Sequence, residues 1–201
     1  MLDFFSFSVI LGIMFGVMAI SSPRMPDLFM LLSFLFLLVP TMVALIGGAP
    51  FVPTPMKACK RMMRVAGIKK DDNVVDIGCG DGRLAYLAAN KHGAKATGYE
   101  LSPLVYFLAK IRQLFWRSKA KIKFGDFRLC NLEGTDYIVC YMLPDTLRKF
   151  IPKFEKDLKK GAKIISYAFH IEGWNPVHIE PSIPPENISK IWVYEIGKQY
   201  E

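Results

Sequence analysis

The sequence predicts an α/β protein: a doubly wound, mostly parallel Rossmann-like sheet carrying an N-terminal two-helix transmembrane hairpin. Three observations predict it. Residues 1–47 are almost uniformly apolar, strand and helix patterns alternate after residue 70, and a glycine-rich turn, DIGCGDG, marks the first strand-to-helix junction.

The apolar part comes first. Phe4 to Ile20 is an uncharged run of about 17 residues and Leu28 to Ile46 one of about 19, each close to the length that crosses a hydrocarbon core. Between them SSPRMPD has the prolines and polar groups of a tight connection. A signal peptide is disfavoured, because no basic segment precedes the first run and a second follows it. Lys57, Lys60, Arg61, Arg64, Lys69 and Lys70 follow the second run, whereas the connection has only Arg24. The positive-inside rule then predicts an integral membrane protein with its C-terminal domain facing the cytoplasm.

The connector GGAPFVPTP follows, at 47–55, and its three prolines cannot continue a helix. Beyond it, Lys57, Lys60, Arg61 and Arg64 recur at helical spacing, and Cys59, Met62, Met63 and Ala66 repeat that spacing on the opposite side. The helix is therefore expected to turn its apolar side to a core and its basic stripe to anionic headgroups. Three segments result: a hairpin at 1–47, a connector with a basic juxtamembrane helix at 48–70, and the folded domain at 71–201.

In that domain NVVDIGC, KATGYEL, KIKFGD, TDYIVCYM and AKIISYAF read as strands, and DGRLAYLAANKHG and SPLVYFLAKIRQLFW as helices. PDTLRKFIPKFEKDLKKG reads as a helix open to interruption at Pro152, because an internal proline removes an amide donor. NPVHIE and KIWVYEIG add late strands, expected as an antiparallel addition at one sheet edge.

Charge narrows the function classes. The net charge is +8; Arg24 against Asp3 and Asp27 leaves 25 basic and 16 acidic side chains beyond residue 47. That balance suits nucleic acid, an anionic surface or an acidic substrate. Cys59, Cys79, Cys130 and Cys140 have neither CxxC nor Cys/His ligand spacing, so neither a metal site nor a disulfide framework is expected.

The glycine turn places Asp76 before Gly78, Gly80 and Gly82 beyond the carboxyl end of a strand, where open α/β sheets bind ligands. The spacing GxGxG departs from the dinucleotide fingerprint GxGxxG, and a pyrophosphate sits poorly beside Asp81. S-adenosylmethionine instead presents an ammonium and a sulfonium, which suit carboxylates at Asp76 and Asp81. Glu100 closes the second strand in the place of a ribose-binding acid, and Asp126 closes the third, placed to accept from an adenine amino group. Leu101 and Phe127, each next to one of these acids, complete the expected cofactor site.

The loop and its acids resemble the seven-strand, class I S-adenosylmethionine-dependent methyltransferases over roughly residues 54–197. The ordered set PFVPTP, DIGCGDGR, GYELSP, CYMLP and SYAFHIEGW resembles more narrowly the membrane-anchored protein-lysine methyltransferases. Mitochondrial members of that family modify the adenine nucleotide translocase and the ATP synthase c-ring protein. Two spans differ from the single anchor expected of those members, so their substrates do not carry over. The resemblance implies methyl transfer to lysine in a membrane or membrane-associated protein. It places Tyr141, at the end of the fourth strand, beside the transferred methyl, with His170 the nearby imidazole. Phe51, Pro53, Phe169 and Trp174 are expected on the substrate side, with the connector as a strap beside the cleft. Methylation of a lipid or quinone precursor is the alternative, a noncatalytic cofactor-binding scaffold the second, and nucleic acid is the least expected partner.

Overall fold

The computed structural model describes residues 51–201 together with the isolated positions Leu31 and Leu35. Contacts divide the chain into two compact units, Met1–Val52 and Pro53–Glu201. In the first, Leu31 and Leu35 are helical and exposed, and Phe51 is half-buried. The expectation of an integral membrane protein is corrected: among the described residues no helix is long and apolar enough to cross a membrane. The runs 4–20 and 28–46, on which the hairpin rested, lie outside the described residues.

The second unit is built on a seven-stranded sheet of order β3-β2-β1-β4-β5-β7-β6. Its strands are β1 (Asn73–Ile77), β2 (Lys95–Glu100), β3 (Lys121–Phe124), β4 (Tyr137–Cys140), β5 (Lys163–Tyr167), β6 (His178–Glu180) and β7 (Ile191–Glu195). The first five pair in parallel, and β7 enters antiparallel between β5 and β6. The strand order reverses between β1 and β4, next to the glycine turn, the position where open α/β sheets bind ligands.

On one side of the sheet lie α1 (Met56–Ala66), α2 (Arg83–Tyr86, continuing as a π-helical turn over Leu87–Lys91) and α3 (Pro103–Phe115). On the other side α4 (Pro144–Asp157) covers β4 and β5. α1 forms because its apolar residues recur at three- and four-residue spacing; Ala58, Cys59, Met62, Met63 and Ala66 are all buried. A methionine side chain removed from water in this way contributes about 2 kcal/mol. α4 runs through Pro152 without interruption. Pro152 and Arg148, the residue whose carbonyl loses its donor, both lie on the exposed side, where water replaces the missing bond.

The basic stripe of α1 is divided. Arg61 turns inward, 12% exposed, and its Nε and Nη2 donate to Glu180 Oε1 at 2.8 and 2.7 Å. Lys57 pairs with Glu186 at 3.0 Å. Two of the four cations expected at headgroups are thus committed to glutamates on and beyond β6, because β6 and the 183–188 turn pack beside α1. Lys60 and Arg64 are exposed.

Candidate active site

The turn after β1 is shaped by backbone conformation. Gly78, Gly80 and Gly82 have φ of 61°, 57° and 81°, the left-handed region that side chains other than glycine's rarely adopt. The loop also lies close over β2, where the Cys79 N–H donates to the Tyr99 carbonyl at 2.9 Å. A Cβ on Gly98 would stand 2.7 Å from Cys79 Cβ, so the close approach depends on the missing side chain.

Three carboxylates converge on this turn and meet different fates. Asp76, at the end of β1, is buried and accepts the Ala85 N–H at 3.1 Å, fixing the first turn of α2. Burial pushes its pKa up to about 8, against a smaller pull from that amide. Glu100 accepts the Gly80 N–H at 3.0 Å and the Ser102 N–H at 2.9 Å, and burial likewise raises its pKa. Asp81 is also buried, yet it lies between two guanidiniums: Arg83, with Nε at 2.9 Å and Nη2 at 2.5 Å, and Arg112. Asp81 is therefore corrected from cofactor acid to internal counter-ion. Arg83 completes a bridge by donating from Nη1 to the Thr54 carbonyl at 2.6 Å. Through it the Pro53–Pro55 segment, with Thr54 buried and Pro53 half-buried, is tied to the glycine loop.

Asp76 and Glu100 remain as enclosed carboxylates with no cationic partner among the described residues. Enclosed negative charge without a counter-ion is costly. A cofactor whose amino acid end is cationic and whose ribose supplies hydroxyl donors matches what these two groups lack, so the residues present fit S-adenosylmethionine. Leu101 is exposed beside Glu100. Asp126 lies two residues beyond β3; it caps the short turn Phe127–Leu129 and pairs with Arg128 at 2.5 Å, which lowers its pKa. Phe127 itself is corrected: its ring is buried between Phe150 and Phe154, so only its backbone is left for a ligand.

A second cluster forms at the ends of β4 and β5. Tyr141 meets Tyr167 edge-on at 5.0 Å and stacks with Phe169 at 6.0 Å with 15° between the planes. Burial raises the Tyr141 pKa, so the phenol stays protonated through neutral pH. Phe169 reaches this position through a backbone outlier: Ala168 has φ of 68°, and the Phe169 N–H donates to the Tyr167 carbonyl at 2.9 Å in a three-residue turn. Such a conformation costs on the order of 1–3 kcal/mol and persists where its surroundings enforce it. Ala168 N–H donates to the Lys190 carbonyl at 2.9 Å, Ser166 Oγ to the Phe169 carbonyl at 2.6 Å, and Ser189 N–H to Tyr167 Oη at 3.1 Å.

Two expected members are absent from this cluster. His170 is exposed and packs on Trp192, on the opposite face of the sheet from Tyr167. Trp174 is buried among Phe154, Tyr194 and Tyr200 and lines no cleft. Phe51 belongs to the N-terminal unit. Tyr167, which follows the same strand pattern as Phe169, is a cleft candidate from sequence, whereas sequence reasoning missed Thr54, Arg83, Arg112, Gly98 and Ala168. Only Arg83 carried a local signal, as the residue ending DIGCGDGR.

A seven-stranded sheet whose single antiparallel strand is β7, a left-handed glycine turn and uncompensated acids at the first two strand ends define an S-adenosylmethionine-dependent methyltransferase. Comparison with known proteins agrees. Residues 76–178 match the ANTKMT methyltransferase domain, and the chain belongs to that family. It is 33% identical over 152 residues to a protein-lysine N-methyltransferase of Saccharolobus islandicus, covering 74% of this chain and 94% of that one. It is 30% identical to the ATP synthase c-subunit lysine N-methyltransferase of Mus musculus, covering 75% of this chain but 59% of the mouse protein. Among solved structures, an RNA methyltransferase from Salinibacter ruber in complex with S-adenosyl-L-homocysteine superposes with a TM-score of 0.67 at 26% identity. That alignment covers 72% of this chain and 94% of the other.

Proposed function

We propose that this enzyme, an S-adenosylmethionine-dependent protein-lysine N-methyltransferase like its relatives, accepts the lysine at the Tyr141–Tyr167–Phe169 cluster. The finer reading is that the acceptor protein lies in or at a membrane. The observation carrying the proposal is that cluster: aromatic, largely apolar side chains at the ends of β4 and β5, beside the glycine turn of β1.

The cofactor supplies the methyl group on a sulfonium; the chain supplies position and desolvation. Free lysine, with a pKa near 10.4, is neutral in roughly one molecule per thousand at neutral pH, a deficit of about 4 kcal/mol. Aromatic walls exclude water and so disfavour the ammonium. Half-buried Tyr141, backed edge-on by the buried Tyr167, also offers its ring to the cationic product. No imidazole is needed, in keeping with the placement of His170 away from the cluster. Asp76 and Glu100 hold the cofactor's polar end, and the Asp81–Arg83–Thr54 bridge keeps the connector beside that loop. Positioning of this kind supplies much of the rate in a direct displacement.

The test is a labelling experiment with the full chain, methyl-labelled S-adenosylmethionine and membranes from cells lacking the gene. Label is counted separately in delipidated protein and in the organic extract, with Asp76→Asn as control. A discrete labelled protein band carrying methyllysine, weakened in the control at subsaturating cofactor, is the expected result. Label confined to the lipid extract overturns the acceptor assignment.

A further inference from the structure

We infer that the outer face of α3, with the adjoining β3 edge, docks on the surface of an anionic phospholipid bilayer. Phe107, Ile111, Leu114 and Phe115 fall at i, i+4, i+7 and i+8 of this helix, a single stripe, while Val105 and Ala109 on its other side are buried against the sheet. The stripe is bare: Phe107 is 63% exposed, Leu114 77% and Phe115 78%. Phe124, exposed on β3, extends it through its contact with Tyr106. Folded domains seldom leave contiguous large apolar side chains uncovered without a use for them.

Charge selects the occupant. Between Glu100 and Asp126 the chain has six basic residues and no acid. Arg112 is taken by Asp81, and Lys121 and Lys123 alternate with Ile122 onto the other face of the sheet, where Lys123 lies over the Tyr99 ring; Lys110, Arg117 and Lys119 are exposed around the stripe. Lys110 Nζ donates to the uncharged Gln113 Oε1 at 2.7 Å. Lys60 and Arg64 of α1 are exposed on the same side of the sheet. A second copy would bring like charges together. Nucleic acid would satisfy the lysines but leave Ile111 and Leu114 unburied. An anionic bilayer satisfies both, taking aliphatic and aromatic side chains at the headgroup–acyl boundary and cations among the headgroups. The contact is peripheral and involves no spanning helix. With α3 lying flat on the surface, the strand ends and the aromatic cluster lie along the bilayer plane.

The experiment places an environment-sensitive fluorophore at Leu114→Cys, with Lys156→Cys on α4 as control, both in full-length protein carrying Cys130→Ser. Each is mixed with preformed vesicles of phosphatidylcholine alone or with phosphatidylglycerol, containing chain-spin-labelled lipid as quencher. Quenching at position 114 in the anionic vesicles, not at 156 and not in the neutral vesicles, is expected. Neutralising Lys110 and Lys119 together should weaken binding to the anionic vesicles by about 25-fold, at about fivefold per charge. Equal quenching at both positions, or none at 114, overturns the proposal. A probe at 114 that responds to single-stranded RNA but not to anionic vesicles reassigns the face to nucleic acid. A probe already shielded in detergent, before lipid is added, shows that the chain itself covers the stripe. None of these readings depends on the lysine acceptor, so failure here leaves the proposed function standing.

Discussion

The two halves of the site are built in opposite ways. At the ends of β1 and β2, the proposed cofactor half is a backbone device: three left-handed glycines, two acids bonded to main-chain amides, and a strand glycine that lets the loop lie close. At the ends of β4 and β5, the proposed acceptor half is made of side chains aimed by one strained residue, Ala168, and by bonds to the 188–190 segment. Each half is vulnerable in its own manner. The cofactor half fails through charge and close packing, the acceptor half through loss of aim.

The largest effect is expected at the arginine bridge. Arg83→Met leaves buried Asp81 with Arg112 alone and releases the Thr54 carbonyl, at a cost of about 3 kcal/mol. Chemical denaturation should show it, together with faster proteolysis near residues 53–55. An unchanged midpoint would mean that the connector is held by something else.

Gly98→Ala comes next. The added Cβ meets Cys79 Cβ at 2.7 Å and Sγ at 2.8 Å, so the loop must lift, costing about 2 kcal/mol. Cofactor binding should weaken in calorimetry while the aromatic half stays intact by near-ultraviolet dichroism. A loss shared by both halves would erase the distinction drawn between them.

A smaller effect, roughly tenfold in cofactor affinity, follows from Asp76→Asn, which keeps an acceptor for Ala85 N–H but removes the charge. The wild type carries a pH signature here. Folding raises the Asp76 pKa from 3.8 to about 8, so the free folded chain holds a proton that the unfolded chain releases. Its stability therefore falls as pH rises across that window. A cationic ligand favours the ionised form, so binding at pH 7 should release a proton and tighten toward pH 8. Calorimetry in buffers of differing ionisation enthalpy measures the release, which Asp76→Asn should abolish.

The smallest expected change is Phe169→Leu, which removes the stack on Tyr141 at about 1 kcal/mol. It should lower kcat while cofactor affinity stays constant. A change in cofactor affinity instead would place Phe169 in the other half.

Most of the domain's fold was legible from alternation alone, because a strand buried by helices on both faces reads as a short apolar run closed by turn residues. The antiparallel edge was legible too, from late strand patterns without intervening helices. Pro152 was misjudged because the sequence does not show that Arg148 faces water. Arg61 was counted among four equivalent cations, and only the nearby Glu180 of β6, 119 residues later, distinguished it.

Local sequence was enough for the glycine turn, the order of strands and helices, and the placement of Asp76 and Glu100 at strand ends. These depend on backbone conformation and on position at strand ends, which a few adjacent residues dictate. Long-range packing was needed to neutralise Asp81, to make Phe127 and Trp174 part of the core, to set His170 on the other face, and to let Ala168 aim Phe169 at Tyr141. A buried charge takes its role from its partner and an aromatic ring from whatever covers it; both lie far away in sequence and close in space.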